Sequence, residues 1–245
     1  MKRSAVFLDR DGTVIEDTGY LADPDQVRLI PGSSGAIRRL RDTGSLILIV
    51  SNQSGVARGL FDEADLARVH ERMETLLHAD GAQLDDAYYC PYLDGPDAAV
   101  AAYRRHSDLR KPHPGMLLAA ARDHDLDLTA SWMIGDAPSD VEAGARAGCR
   151  TILIDPDGTY EHNGRGTKPT HVVRTLEQAA DVITTASNMH TKKPRRRTKP
   201  DTTTNPGTTR PAPPAAKPTD PTPRPAGDQH PTTHIDPAPP NPRNP

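Results

Sequence analysis

The sequence predicts an α/β fold, a doubly wound parallel sheet with helices on both faces. Two runs, Ala5-Val6-Phe7-Leu8 and Leu46-Ile47-Leu48-Ile49-Val50, are apolar at every position, as strands buried on both faces read. Strand-like runs alternate with segments whose apolar residues recur at helical spacing. Polar or acidic residues follow directly on three of the strands, at the carboxyl rim where such sheets bind ligands.

The elements follow in order. Residues 4–9 read as the first strand, and 14–31, mixed and turn-rich, as a flap. Pro31-Gly32-Ser33 opens a helix with Ile37 and Leu40 on one face, closing near Gly44. The second strand covers 46–50, and Ser51-Asn52-Gln53-Ser54-Gly55 follows it at once. Asp62 caps a helix that carries Leu66, Val69, Met73, Leu76 and Leu77 on one stripe. Residues 84–89 read as a third strand and 91–110 as irregular chain. Pro114 suits the first turn of a helix through Leu117, Leu118 and Ala121. Trp132-Met133-Ile134 forms a fourth strand ending in Gly135-Asp136, residues 139–147 a helix stopped by Gly148, and 151–154 a fifth strand. A last helix occupies about 175–186.

Charge and composition divide the chain. The formal net charge of -3 conceals a tail, 188–245, with ten Lys/Arg against four Asp/Glu and sixteen of the 25 prolines. With a single Ile and no Leu, Val or aromatic side chain, that tail cannot bury enough apolar surface to offset its ordering entropy, and it is expected to be disordered. Residues 1–187 are then one domain, long enough to build a core without staples. Two cysteines, Cys90 and Cys149, make no disulfide framework and fit a reducing compartment. The apolar run before Asp9 is too short for a signal peptide, and no stretch is long enough to span a bilayer, so a cytoplasmic protein is expected. The basic cluster 192–197 reads as solvated tail rather than a nucleic-acid contact.

The chemistry centres on Asp9-Arg10-Asp11-Gly12-Thr13. Two carboxylates two residues apart on extended chain point the same way, and Gly12 permits a sharp exit from the strand. Asp9, Asp11 and Asp136 are hard oxygen donors suited to Mg²⁺. Ser51, Asn52 and the following Gly55 offer donors to an anion, and Arg110-Lys111 adds two cations. Together they describe a site for phosphoryl transfer, in which positioning and charge neutralisation dominate. His70, His78 and His124 read as solvated, Trp132 as core, and Cys149 as lacking a base partner.

That order of motifs resembles the haloacid dehalogenase-like phosphatases. Phe7 to Thr13, Ser51 to Gly59, Tyr88 to Pro91 and Arg110 to Met116 are similar to the D-glycero-D-manno-heptose 1,7-bisphosphate phosphatases, and the related histidinol-phosphate phosphatases share much of this. The resemblance covers about residues 4–185. It implies a Rossmann-like domain with a minimal flap and no large cap, and it implies roles. Asp9 attacks phosphorus, Asp11 is acid and base, and Ser51 and Lys111 hold the phosphoryl group. Mg²⁺ sits on Asp9, Asp136 and the main-chain carbonyl of Asp11, while Asp140 orients Lys111. Asp17, Gly19, Tyr20, Asn52, Gln53, Ser54 and Arg110 contact the rest of a phosphorylated sugar. The small flap favours a monomer.

Two departures stand out. Members of this family often carry a zinc loop, Cys-x-His and then Cys-x-Cys, before the Arg-Lys pair. Here those positions read Cys90-Pro91-Tyr92 and Ser107-Asp108-Leu109, one ligand where a structural zinc takes four, so no zinc is expected. Cys90 is read as a small buried residue, with Pro91, Tyr92, Leu93 and Tyr103 anchoring the loop. Ala137 stands where the heptose phosphatases often have Lys.

Overall fold

Every side chain of the run Ala5–Leu8 is fully buried, the outcome expected of a strand enclosed by helices on both sides. This strand, β1, is central in a sheet described by a computed structural model for residues 2–191 and 233–235. The others are β2 (Leu46–Asn52), β3 (Asp86–Cys90), β4 (Trp132–Gly135), β5 (Arg150–Ile154), β6 (His171–Val173) and β7 (Thr233–Ile235). All pairings are parallel, and the order is β6-β5-β4-β1-β2-β3-β7. The winding reverses at β1, between β4 and β2, so a crevice opens at the carboxyl ends of these strands.

Alternation along the strands builds two cores. Val6, Leu8, Ile47 and Ile49 meet Ile37 and Leu40 of α1 (Ser33–Arg41), Leu66 and Met73 of α3 (Glu63–Ala79) and Ile183 of α6 (Leu176–Thr191). Ala5, Phe7, Leu48 and Val50 meet Met116 and Leu117 of α4 (Gly115–Asp123) and Ala143 of α5 (Pro138–Ala147). One short helix, α2 (Gly55–Arg58), was not expected from the sequence, and neither were β6 and β7. Asp62 caps α3 through a reciprocal box, accepting from the Asp65 amide at 2.8 Å while Asp65 accepts from the Asp62 amide at 3.0 Å. Pro114 lies one residue before α4 rather than inside it.

The flap between β1 and α1 is small, tied by bridges from Ile15 to Asp11 and to Leu29. The 91–109 loop is anchored much as expected. Tyr92 is fully buried against Tyr103, with ring centroids 5.9 Å apart, and Arg105 stacks over Tyr92 at 3.8 Å. Cys90 and Trp132 are buried, and burial pushes the Cys149 thiol up to about 12, consistent with an inert residue.

Two histidines depart from expectation. His70 is buried and bonded to the Tyr89 hydroxyl at 2.9 Å, because its helix faces β3. His124 is half-buried and meets Asp86 at 2.8 Å. The domain boundary expected at 187 falls within α6. From the tail, β7 pairs with Ala87, Tyr88 and Tyr89, and His234 stacks on Tyr88 at 4.6 Å. The tail residues 188–191 end α6, and the basic cluster 192–197 with the rest of the tail apart from β7 lies outside the described residues. Among the described residues no helix is long and apolar enough to cross a membrane.

Candidate active site

Asp9 leaves β1 still paired: its amide donates to the Ile134 carbonyl of β4 at 2.9 Å. The chain then folds back, with the amides of Val14 and Ile15 both donating to the Arg10 carbonyl at 2.9 and 3.0 Å. Gly12 takes the left-handed conformation this turn needs, with φ +73°. A Cβ there would lie 2.2 Å from Asp136 Oδ2. Gly135, at the end of β4, likewise leaves room for Asp140, whose Oδ2 would be 2.2 Å from an added Cβ. Two glycines thus let Asp136 and Asp140, the latter in the first turn of α5, bring their carboxylates against the main chain of the rim.

Lys111 is buried, and its Nζ lies 2.8 Å from Asp9 Oδ1, 2.6 Å from Asp140 Oδ1 and 2.8 Å from the Val50 carbonyl. Asn52 clamps its main chain at both ends, accepting from the Lys111 amide and donating to the Lys111 carbonyl, each at 3.0 Å. Burial opposes the lysine's charge, but Asp140 and Asp9 outweigh it, so the proton is held more firmly than usual. Asp140 Oδ2 accepts from the Ala137 amide at 3.0 Å, at the N-terminus of α5. Its own proton affinity is pushed up to about 6, mainly by burial, with Lys111 pulling the other way. Contact with Lys111 on one oxygen and with main chain on the other fits an orienting role.

Asp9, Asp136 and Asp140 present oxygens all within 4.8 Å of one another. Three carboxylates facing one lysine leave negative charge that a hard divalent cation can offset, so these residues fit Mg²⁺. Desolvation, then Asp9 and Asp140, pushes Asp136 up to about 7 without such a cation. The Asp11 carboxylate stands outside this cluster, and Asp140, read from the sequence as orienting Lys111, stands inside it.

That carboxylate is instead held by neighbours. Arg10 Nε and Nη2 reach both oxygens at 3.0–3.3 Å, and Gln53 Nε2 donates to Oδ2 at 2.8 Å. The same Gln53 nitrogen donates to the buried Ser51 hydroxyl at 3.1 Å. Burial raises the Asp11 proton affinity and Arg10 lowers it. Two hydrogen-bonded groups therefore stand side by side at this rim, Asp9 with Lys111, Asn52 and Asp140, and Asp11 with Gln53 and Ser51.

The remaining expected contacts lie further out. Asp17 accepts from the Gly19 amide at 2.8 Å in an exposed turn, and Tyr20 beside it is half-exposed. Ser54 precedes α2. Arg110 Nη1 donates to the Tyr92 carbonyl at 3.2 Å. Arg58, a residue sequence reasoning missed, lies over the Tyr20 ring at 5.7 Å and acts with burial to disfavour the charge on Arg110. Its place after Ser51-Asn52-Gln53-Ser54, as another cation on the same rim, was the available signal.

The chain is similar to known proteins over most of its length. Residues 108–179 match the HAD-hydrolase-like family model. The chain is 41% identical over 194 residues to D-glycero-D-manno-heptose-1,7-bisphosphate 7-phosphatase of Thermosynechococcus vestitus, covering 76% of this chain and 97% of the relative. It is 41% identical over 179 residues to D-glycero-beta-D-manno-heptose-1,7-bisphosphate 7-phosphatase of Photorhabdus laumondii, covering 73% and 88%. Among solved structures it is similar to D,D-heptose 1,7-bisphosphate phosphatase from B. bronchiseptica complexed with magnesium and phosphate. That match has a TM-score of 0.60 and 34% identity over 75% of this chain and 99% of that one. The chain belongs to the haloacid dehalogenase-like phosphatases, in the family of these heptose bisphosphate phosphatases, and is a phosphoric monoester hydrolase.

Proposed function

We propose that the enzyme removes the 7-phosphate of D-glycero-D-manno-heptose 1,7-bisphosphate, in the route to nucleotide-activated heptose. The observation that carries the reading is the 2.8 Å contact between Asp9 and a buried, charged Lys111 at the carboxyl end of β1. Asp9 attacks phosphorus, and a carboxylate–phosphorus bond forms as the bond to the sugar oxygen breaks. Asp11 gives its proton to the leaving oxygen, then takes one from the water that hydrolyses the aspartyl phosphate. Ser51 and Lys111 hold the phosphoryl group during both steps. Asp17, Gly19, Tyr20, Asn52, Gln53, Ser54 and Arg110 contact the rest of the sugar. Asp9, Asp136 and the main-chain carbonyl of Asp11 hold Mg²⁺, which supplies positive charge to the phosphoryl oxygens. Residues 1–187 carry all of this chemistry.

Steady-state kinetics with Mg²⁺ on a panel of phosphate monoesters tests the reading. The heptose bisphosphate should give the highest kcat/KM, and Asp9→Asn should abolish turnover. One observation favours a second substrate, histidinol phosphate: Ala137 offers only a main-chain N–H to Asp140, where the heptose enzymes often have a lysine. A higher kcat/KM on histidinol phosphate would select it.

A further inference from the structure

Arg10 lies between Asp9 and Asp11 in sequence and has no part in the chemistry proposed for them. It is 1% exposed, an unusual setting for an arginine. Its guanidinium points at the neighbouring Asp11, which the turn after β1 makes possible: with Val14 and Ile15 both bonded to its carbonyl, the chain doubles back at once. Nε and Nη2 grip both carboxylate oxygens of Asp11 at 3.0–3.3 Å, a forked contact that fixes the plane of the carboxylate as well as its distance. The remaining nitrogen, Nη1, is buried without a hydrogen-bond acceptor. A buried donor left unpaired is unfavourable, so the hydrogen bonds that orient the guanidinium are those to Asp11.

The arginine is mounted on a second layer of buried polar groups. Its guanidinium carbon lies 5.8 Å from the Tyr89 ring centroid. The Tyr89 hydroxyl meets His70 Nδ1 at 2.9 Å, and the two rings pack edge to face at 5.7 Å. His70 Nε2 then lies 3.3 Å from Glu74, one turn further along α3. Tyr89 and His70 are 1% and 3% exposed. The result is a chain of side chains running from α3 through β3 to the Asp11 carboxylate.

We propose that Arg10 is the positioning residue of Asp11, and that Tyr89 and His70 are its mount. This rests on the reading of Asp11 as the acid that protonates the leaving oxygen. A free aspartate on a loop samples several rotamers; the Arg10 fork, with Gln53 on Oδ2, leaves one. A proton donor must be within hydrogen-bond reach of the departing oxygen, and small misplacements of such groups lower rates steeply.

Leaving groups that need no proton separate this role from a structural one. The experiment compares kcat/KM on an alkyl phosphate, the sugar phosphate, with that on p-nitrophenyl phosphate, for wild type, Arg10→Lys and Tyr89→Phe. Lysine keeps the charge but cannot form the fork. Arg10→Lys should lose about tenfold or more in kcat/KM on the alkyl ester beyond its loss on the aryl ester. Tyr89→Phe should shift the ratio the same way, by less. Equal losses on both esters in a folded Arg10→Lys protein, or no loss, overturn the proposal. Should Arg10→Lys not fold, the comparison passes to Tyr89→Phe, where an unchanged ester ratio counts against the proposal in the same way. Asp11→Asn is the control: full activity on the alkyl ester there would overturn the acid assignment itself, which is a different failure.

Discussion

Replacing Lys111 with Met should destabilise the metal-free protein in a manner that depends on pH. The ammonium has three oxygen neighbours, on Asp9, Asp140 and Val50. Methionine fills much of the same volume without charge, so the change isolates electrostatics from packing. Asp140, 1% exposed, then keeps only the Ala137 amide and faces the Asp9 charge unopposed. Removing one member of a buried ion pair costs about 3–5 kcal/mol. For a domain of this size that lowers Tm by roughly 6–20 °C. The sign with pH follows from Asp140, which burial has already pushed up to about 6 and which Lys111 holds down. Without Lys111 it rises further. A carboxyl whose folded value lies above its unfolded one favours the protonated fold, adding stability at low pH that is lost as pH rises through the folded value. Wild type has lost that contribution by about pH 6, but the variant goes on losing it at higher pH. The deficit should therefore widen between pH 6 and 8 by about 1.4 kcal/mol per unit until the variant's Asp140 is ionised. Urea unfolding of both proteins in EDTA at pH 6, 7 and 8 measures it. A deficit independent of pH, or none, would show that Lys111 is not what balances Asp140.

Other outcomes follow from the same geometry. Gly12→Ala places a Cβ on Asp136 and strains a left-handed position; stability should fall by about 1–3 kcal/mol and Mg²⁺ affinity should fall as well, read by unfolding and by Mg²⁺ titration of activity. Asp136 is pushed up to about 7 in the bare site, so Mg²⁺ must displace its proton at lower pH. The apparent Kd for Mg²⁺ should rise as pH falls below that value, approaching about tenfold per unit, while a Kd flat from pH 8 to 6 would remove Asp136 from the metal site. Deleting residues 192–245 removes β7 and bares the β3 edge. Activity on the sugar phosphate should be unchanged, but light scattering should show more self-association, as open strand edges invite.

Much of this site is legible in the sequence because Asp9, Ser51, Asn52 and Asp136 stand at the carboxyl ends of apolar strands, whereas Lys111 is delivered by the loop after β3. Asp9, Ser51, Asn52 and Asp136 can be placed on one rim from the parallel-sheet rule alone. What escapes is whatever depends on a distant partner. His70 sits among helical residues that read as exposed, and only the hydroxyl of Tyr89, a strand away, makes its burial favourable. His124 is drawn inward by Asp86 in the same way. β6 and β7 are three residues each, too short to show a period, and exist because β5 and β3 offer open edges. Arg10 is visible in the motif, but its contact with Asp11 requires a turn tight enough to bring adjacent side chains together.

The acidity of the rim is set as much by atoms the chain omits as by those it carries. Gly12 and Gly135 each leave a hole the size of a methyl group, and an aspartate occupies each hole. A single added carbon at either place keeps every acidic side chain of the rim in the sequence, yet pushes against carboxylates that otherwise lie together. A weakened metal site with the fold retained is therefore one substitution away, at positions that carry no functional group.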